Sequence, residues 1–196
     1  MEETKLNIKV IAGSTREGRF SDKAAAWITE EIKKQDGVTV EMLDLRDYEM
    51  PLFNEAVSPS FKTEPYKHEA VARFTKKIAE GDAFVMVTPE YNHSTSGVLK
   101  NAIDWVGSEW NRKPVGFVSY GSVGGARAVE HLRLIAVELQ MAPIREAIHI
   151  NGEQYFPVIM GGGDSQELLA RYVDKAQTMT SQLVWWASAL KEARNK

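Results

Sequence analysis

Residues Phe84–Trp105 read FVMVTPEYNHSTSGVLKNAIDW, and this stretch changes character twice. Ala83–Val87 is apolar at every position, too short for an independent helix and rich enough in Val and Phe for a buried strand. Thr88-Pro89 then breaks the run, and Glu90–Ser96 is polar throughout. After Gly97 the apolar residues return at helical spacing, with Val98, Ala102 and Trp105 on one face and Leu99 and Ile103 beside them. Strand, polar loop and helix follow in that order. In an open parallel sheet, ligands bind where such loops leave the carboxyl ends of strands. The loop offers the Ser94 and Thr95 hydroxyls, the Asn92 amide and the Tyr91 ring, groups suited to a flat ligand with a polar edge.

The same alternation runs outward in both directions. Leu6–Ala12 reads as a first buried strand, Gly13–Phe20 as a loop, and Ser21 as the N-cap of a helix reaching about Lys34. Ala24, Ile28 and Ile32 form the inner stripe of that helix, flanked by Ala25 and Trp27. Val38–Leu45 is a second strand. Arg46–Pro65 carries Pro51, Pro59 and Pro65 and no periodicity, which fits either a lid over a site or a surface insertion. Tyr66–Glu80 is a helix, with Tyr66, Ala70, Phe74 and Ile78 in line. Pro114–Tyr120 is a fourth strand, Gly121–Gly125 a small-residue loop, Ala126–Gln140 a helix and Pro143–Ile150 a fifth strand. Asn151–Gly163 reads as irregular, and Ser165–Glu192 as one long closing helix with a core stripe from Leu168 through Trp186 to Leu190.

Five strands alternating with helices, over residues 1–196 and with no internal linker, describe one doubly wound α/β/α sandwich. Right-handed crossovers and a five-stranded parallel sheet fit the flavodoxin-like order 2-1-3-4-5. In that order the loops after strands one and three flank the point where the winding reverses. They are the two most distinctive loops of the chain.

Composition narrows the function. The chain has 196 residues, 43% apolar and 26% charged, with a formal net charge of -3. A nucleic-acid binder usually shows a basic footprint, which is missing here. The chain has no cysteine, which excludes disulfides, thiolate nucleophiles and cysteine-ligated metal. A polar start followed directly by a strand and the absence of a long apolar run give the expectation of a soluble, cytoplasmic protein without a membrane partner.

Gly13–Ser21, GSTREGRFS, combines Ser14, Thr15 and Ser21 hydroxyls with Arg16 and Arg19 at a helix start, an arrangement suited to a phosphate. The bland reading is a polar turn with two solvated arginines. Gly13 and Gly18 satisfy G-x-x-x-x-G, but Arg19-Phe20 replaces the lysine and hydroxyl of a triphosphate loop. A monophosphate fits better. The glycines of GSVGG, Gly121–Gly125, allow close backbone approach to a ring or form a simple turn. The four histidines show no metal-ligand spacing, His68, His131 and His149 read as surface or helix-face residues, and no G-x-S-x-G elbow occurs. Asp104 reads as a structural or interface carboxylate. A phosphate grip and ring-facing loops without acid–base machinery point to a cofactor enzyme.

GSTREGRFSDKAAAWI, PEYNHSTSGVLKNAIDW and SYGSVGGARAVEHLR, in this order, resemble the NAD(P)H-dependent FMN reductases, whose members include quinone, azo-compound and chromate reductases. The resemblance implies an enzyme that moves hydride from NADPH or NADH to bound FMN and onward to a small-molecule acceptor. Free flavin, a quinone, an azo compound or chromate are the acceptors it allows. It implies that Ser14, Arg16, Phe20 and Ser21, with Arg19 beside them, hold the FMN phosphate. Pro89, Glu90, Tyr91 and Asn92, with His93 and Ser94, run along the ring and ribityl, and Ser119, Gly121, Gly124 and Gly125 border the ring from the other side. It further implies that Met50–Phe53 can lie over the pocket and that the LKNAIDW helix packs in a homodimer or homotetramer. Ser96, where relatives often carry proline, is expected to loosen the loop slightly. A flavodoxin-type electron carrier and a flavin-free protein of the same fold are the competing readings.

Overall fold

The computed structural model describes residues 5–196; the polar start of the chain, residues 1–4, lies outside them. Five parallel strands form one sheet in the order β2-β1-β3-β4-β5. They are β1 (Leu6–Ala12), β2 (Val38–Asp44), β3 (Ala83–Pro89), β4 (Pro114–Gly121) and β5 (Ala142–Asn151). Strands β3 and β4 are buried on both faces, as continuous apolar runs at the centre of a parallel sheet must be. Helices α1 (Ser21–Lys33), α2 (Glu69–Glu80), α3 (Gly97–Asp104), α4 (Ala126–Glu138), α5 (Gly152–Ile159), α6 (Ser165–Ala170) and α7 (Val173–Arg194) flank it.

Alternation along the strands divides the core in two. Ile8, Val10, Val85, Val87 and Val118 face α1 and α7, packing on Ala24, Ile28, Ala176 and Leu183. Ile11, Phe84, Met86 and Phe117 face the other way, onto Phe74, Leu99, Ala102 and Leu132 of α2, α3 and α4. This is the expected three-layer sandwich, with β1 and β3 adjacent and their loops side by side at the carboxyl edge.

The differences from the sequence reading have local causes. Asn151–Gly163 is not irregular, because β5 runs directly into α5 over Gly152–Ile159, with Pro157 inside the helix. The closing helix is two, broken at Arg171-Tyr172, where Tyr172 leaves helical geometry and its hydroxyl donates to Gln154 of α5. In α7 Trp186 turns outward, 38% exposed, and Ala187 takes the buried place. Helix α2 starts at Glu69, so Tyr66 stacks on Trp105 from the preceding loop.

One charge is sealed into this frame. Lys113, before β4, is 7% exposed, and its Nζ donates to the carbonyls of Ile78 and Ala79 at 2.9 and 3.0 Å, closing the end of α2. Burial, reinforced by Arg194, lowers its pKa from 10.5 to about 8. The unfolded chain holds that proton up to about pH 10.5 and the folded chain releases it near pH 8. Between those values the unfolded state binds more protons, so folding gains stability as pH rises. Urea unfolding at pH 7.5 and 10 should therefore show wild type gaining about 2 kcal/mol relative to Lys113→Met. The same pH dependence in both proteins would show that Lys113 is not the source.

Candidate active site

The loop between β1 and α1 is held from three sides. Gly13 N donates to Val87 O at 2.8 Å, and a Cβ on Gly13 would stand 2.7 Å from that oxygen, so only glycine lets the loop pass so close to β3. Ser96 does not loosen its loop. Its hydroxyl donates to the Gly13 carbonyl and accepts from Leu99 N at 3.2 Å, so it caps α3 and ties the two loops together. Arg19 fixes the third side. Its guanidinium is buried and paired with both Asp44 carboxylate oxygens at the end of β2, and it also donates to the Ser14 carbonyl. Its hydrogen bond to Asp44 raises the Arg19 pKa against the cost of burial. Burial pushes Asp44 up, but bonds from Arg19 and the Arg46 amide outweigh it and hold the carboxyl below its ordinary range.

What this bracing leaves free is as informative. Among the described residues the backbone amides of Glu17, Gly18 and Phe20 have no acceptor, while the turn at Glu17–Gly18 points the Arg19 amide back at the Arg16 carbonyl and the Ser21 amide faces Tyr120 Oη. Phe20, not Ser21, occupies the N-cap position, so Ser21 enters the first helical turn with its hydroxyl fully buried and without a partner. Tyr120 Oη, at the end of β4, is likewise buried, and its nearest polar groups are the Ser21 hydroxyl and amide, at contacts outside strict hydrogen-bond geometry. Burial raises the Tyr120 pKa far above its ordinary value, against the downward pull of those Ser21 groups, so this hydroxyl stays protonated. Beside these groups lies a cavity of about 270 Å³ walled by Arg16, Glu17, Gly18, Phe20, Tyr91, Tyr120, Tyr155 and Ile159, with Ser21 buried next to it and not in its lining. Whole-ligand pockets run to roughly 300–1,000 Å³, so this one has the size for one end of a longer molecule.

The β3–α3 loop closes as a two-residue turn, with Tyr91 and Ser94 exchanging backbone hydrogen bonds at 2.9 and 3.2 Å. Asn92 and His93 carry it at φ 49° and 72°, a left-handed conformation that costs energy for residues with a Cβ and gathers at functional sites. Tyr91 Oη lies 3.0 Å from Ser14 Oγ, joining the loops again. Glu90 turns inward, its carboxylate accepting from the Arg127 amide at 3.2 Å and Nε at 2.6 Å. Across the site, Ser119 is fully buried. Its hydroxyl donates to Gly124 O at 2.7 Å and lies 2.8 Å from Nδ1 of His149, a strand residue rather than a surface one. Burial lowers the His149 pKa. Gly124 and Gly125 have φ near 72°, and a Cβ on Gly125 would meet Ser119 Cβ at 2.7 Å.

The structure thus brings Arg16, Phe20 and Tyr91 to one cavity, while Ser14 and Ser21 are fully buried beside it and do not line it. Arg19 walls the cavity, but its guanidinium is engaged with Asp44. Pro89, Glu90, Ser119, Gly121, Gly124 and Gly125 brace the loops from behind, while Asn92 and His93 are exposed at the rim and Ser94 Oγ bonds His131 Nδ1 at 2.9 Å. Met50–Phe53 lies against α3, where Asn101 Nδ2 and Trp105 Nε1 both donate to Pro51 O and Asn101 accepts from Phe53 N. Asp104 pairs with Lys100 on the surface of α3. Tyr120 and Tyr155 were not foreseen. The signal for Tyr120 was an aromatic at the carboxyl end of a strand, and Tyr155 stood in the stretch read as irregular.

Residues 6–154 match the family described as NADPH-dependent FMN reductase. The chain belongs to that family. It is 36% identical over 143 residues to an NAD(P)H-dependent FMN reductase of Schizosaccharomyces pombe, covering 72% of each chain. A quinone reductase of Pseudomonas putida is 34% identical over 143 residues, with 69% of this chain and 72% of that one covered. In fold, the chain is similar to the flavoenzyme NAD(P)H:(acceptor) oxidoreductase FerB of Paracoccus denitrificans, with a TM-score of 0.67, 24% identity and 91% and 97% of the two chains covered. It is an oxidoreductase with FMN as cofactor and NAD(P)H as reductant.

The residues present fit this cofactor. A phosphate dianion needs several converging donors, and Arg16 with the Glu17 and Gly18 amides supplies them at the positive end of α1, with the Ser21 hydroxyl buried next to them. Ser21→Ala and Arg16→Ala should each weaken FMN binding about tenfold, measured by quenching of flavin fluorescence, since each removes a charge-assisted contact. Asp44→Ala should act on the fold, lowering unfolding free energy by about 3 kcal/mol, because it strands the buried Arg19 charge. Undiminished FMN affinity in both loop variants would remove the phosphate assignment.

Proposed function

We propose that this reductase holds the FMN phosphate in the β1–α1 loop, lays the ring along the β3–α3 and β4–α4 loops, and serves small acceptors such as quinones in a two-stage cycle. The observation that carries this reading is the cavity that Arg16, Glu17 and Gly18 line at the positive end of α1, where the Glu17 and Gly18 amides have no protein acceptor. When bound, FMN supplies the acceptance and release of hydride. The protein's part is placement. Arg16, Ser21 and the loop amides grip the phosphate, and the Tyr91 hydroxyl keeps Ser14 turned to the site. The turn at Asn92 and His93 presents polar edges at the exposed rim, and the Gly121–Gly125 loop gives backbone a close approach. Met50–Phe53, the loop expected to lie over the pocket, is instead hydrogen-bonded to Asn101 and Trp105. One face can then admit a nicotinamide and afterwards the acceptor.

The acceptor class rests on the quinone reductases among the relatives; free flavin, azo compounds and chromate are further candidates. We assign residues 1–196 to a single domain and place the protein in the cytoplasm. No helix of the described residues is long and apolar enough to cross a membrane. Leu134 and Val137 on α4, 72% and 64% exposed, support a homodimer or homotetramer through the α3–α4 side.

An anaerobic titration tests the reading. The visible absorption of the FMN-loaded protein should bleach on adding NADPH or NADH and return on adding a quinone. A flavin spectrum that neither coenzyme bleaches would leave the chain a flavodoxin-type carrier, and failure to take up FMN would end the flavoprotein reading.

A further inference from the structure

Tyr155 stands one residue beyond the family match, on the helix that the sequence did not announce. Its ring packs at 5.7 Å from Phe20, 5.3 Å from Tyr120 and 4.6 Å from Phe156, and it walls the same cavity as Arg16. The helix that carries it is fixed at both ends. A Cβ on Gly152 would meet the Phe156 ring at 2.6 Å and Ser122 Cα at 3.0 Å, so α5 begins pressed onto the β4–α4 loop. At its far end Gly162 N donates to Pro157 O at 2.9 Å, and Gln154 is bound by the Tyr172 hydroxyl.

The hydroxyl of Tyr155 makes no hydrogen bond among the described residues, although the ring around it is packed. Burial, then the neighbouring Tyr91, raise its pKa, while Arg16 pulls it back; Tyr91 and Arg16 line the same cavity as Tyr155. At neutral pH it is a protonated donor beside a cation, with no protein acceptor assigned to it. Arg16, Glu17 and Gly18 line the cavity from the β1–α1 loop, and Tyr155 lines it from α5.

We propose that Tyr155 is a further cofactor-binding residue, whose hydroxyl completes the phosphate cradle from the α5 side and makes the site select a phosphorylated flavin over the bare one. This rests on the reading of the cavity as the FMN phosphate site. A phosphate oxygen gives the hydroxyl the acceptor it lacks, whereas riboflavin, ending in an alcohol, offers no charged acceptor. The aromatic packing holds the ring in place before any ligand arrives, so little freedom is lost on binding.

The test compares the full-length chain and Tyr155→Phe, stripped of flavin and matched by circular dichroism, in titrations with FMN and with riboflavin. The variant keeps the ring and its packing and deletes only the hydroxyl. The expected result is about tenfold weaker binding of FMN with riboflavin binding unchanged. Equal weakening of both flavins, or no change in either, would overturn the proposal while leaving the FMN site intact. Wild-type protein that binds FMN no better than riboflavin would instead overturn the phosphate reading of the cavity, and the proposal with it.

Discussion

Arg19 and Asp44 meet at the carboxyl edge of the sheet with their side chains 3% and 18% exposed. Burying a guanidinium and a carboxylate costs several kcal/mol each before their attraction is counted, so such a pair is a poor source of stability. Its value here is geometric. Asp44 ends β2, Arg19 sits just before α1, and a third bond from the guanidinium reaches the Ser14 carbonyl. The loop's own carbonyls are thereby turned inward, toward Arg19 and, from outside, toward Arg46, which takes the Thr15 and Arg16 carbonyls. With the Ser14, Thr15 and Arg16 carbonyls engaged, the Glu17 and Gly18 amides that follow line the cavity without a protein acceptor. A loop that satisfied its own amides would have nothing to offer an anion.

The same logic governs the other two loops. Each is closed upon the scaffold by side-chain hydrogen bonds. Glu90 fastens the β3 end to Arg127 at the start of α4, Ser96 fastens it to Gly13, and Ser119 with His149 fastens the glycine loop to β5. The strained left-handed residues, Asn92 and His93, lie between these fastenings. Strain of about 1–3 kcal/mol per residue persists only where surrounding structure over-determines it. The result is a site assembled before its ligand arrives, which lowers the entropy lost on binding.

Much of this was legible in the residues. The sheet order followed from five apolar runs separated by helical stripes, because buried parallel strands admit few polar residues. The loops at the winding reversal could be placed for the same reason. The division of labour within the loops could not. Arg16 and Arg19 are chemically alike and three positions apart, and only the position of Asp44, on a different strand, decides which faces the ligand and which is spent inside. Ser21 looked like a cap and became a buried free hydroxyl because Phe20 took the capping position. Helix α5 was hidden by Pro157 and by the following glycines, which read as breakers. Pro157 is tolerated in the second turn of a short helix, and Gly161 at φ 82° marks its end. Tyr120 and Tyr155 converge only through tertiary packing, which no local pattern reports.

Residue-resolved amide hydrogen exchange, recorded with and without FMN, tests the central claim most directly. The account predicts that the amides of Glu17 and Gly18, exposed and without acceptors, exchange fast in the free protein and become strongly protected when FMN is added. The fastened amides of Gly13 and Glu90, which already have acceptors, should change little. Loop amides that stay unprotected in a flavin-saturated protein, with new protection appearing elsewhere, would contradict it.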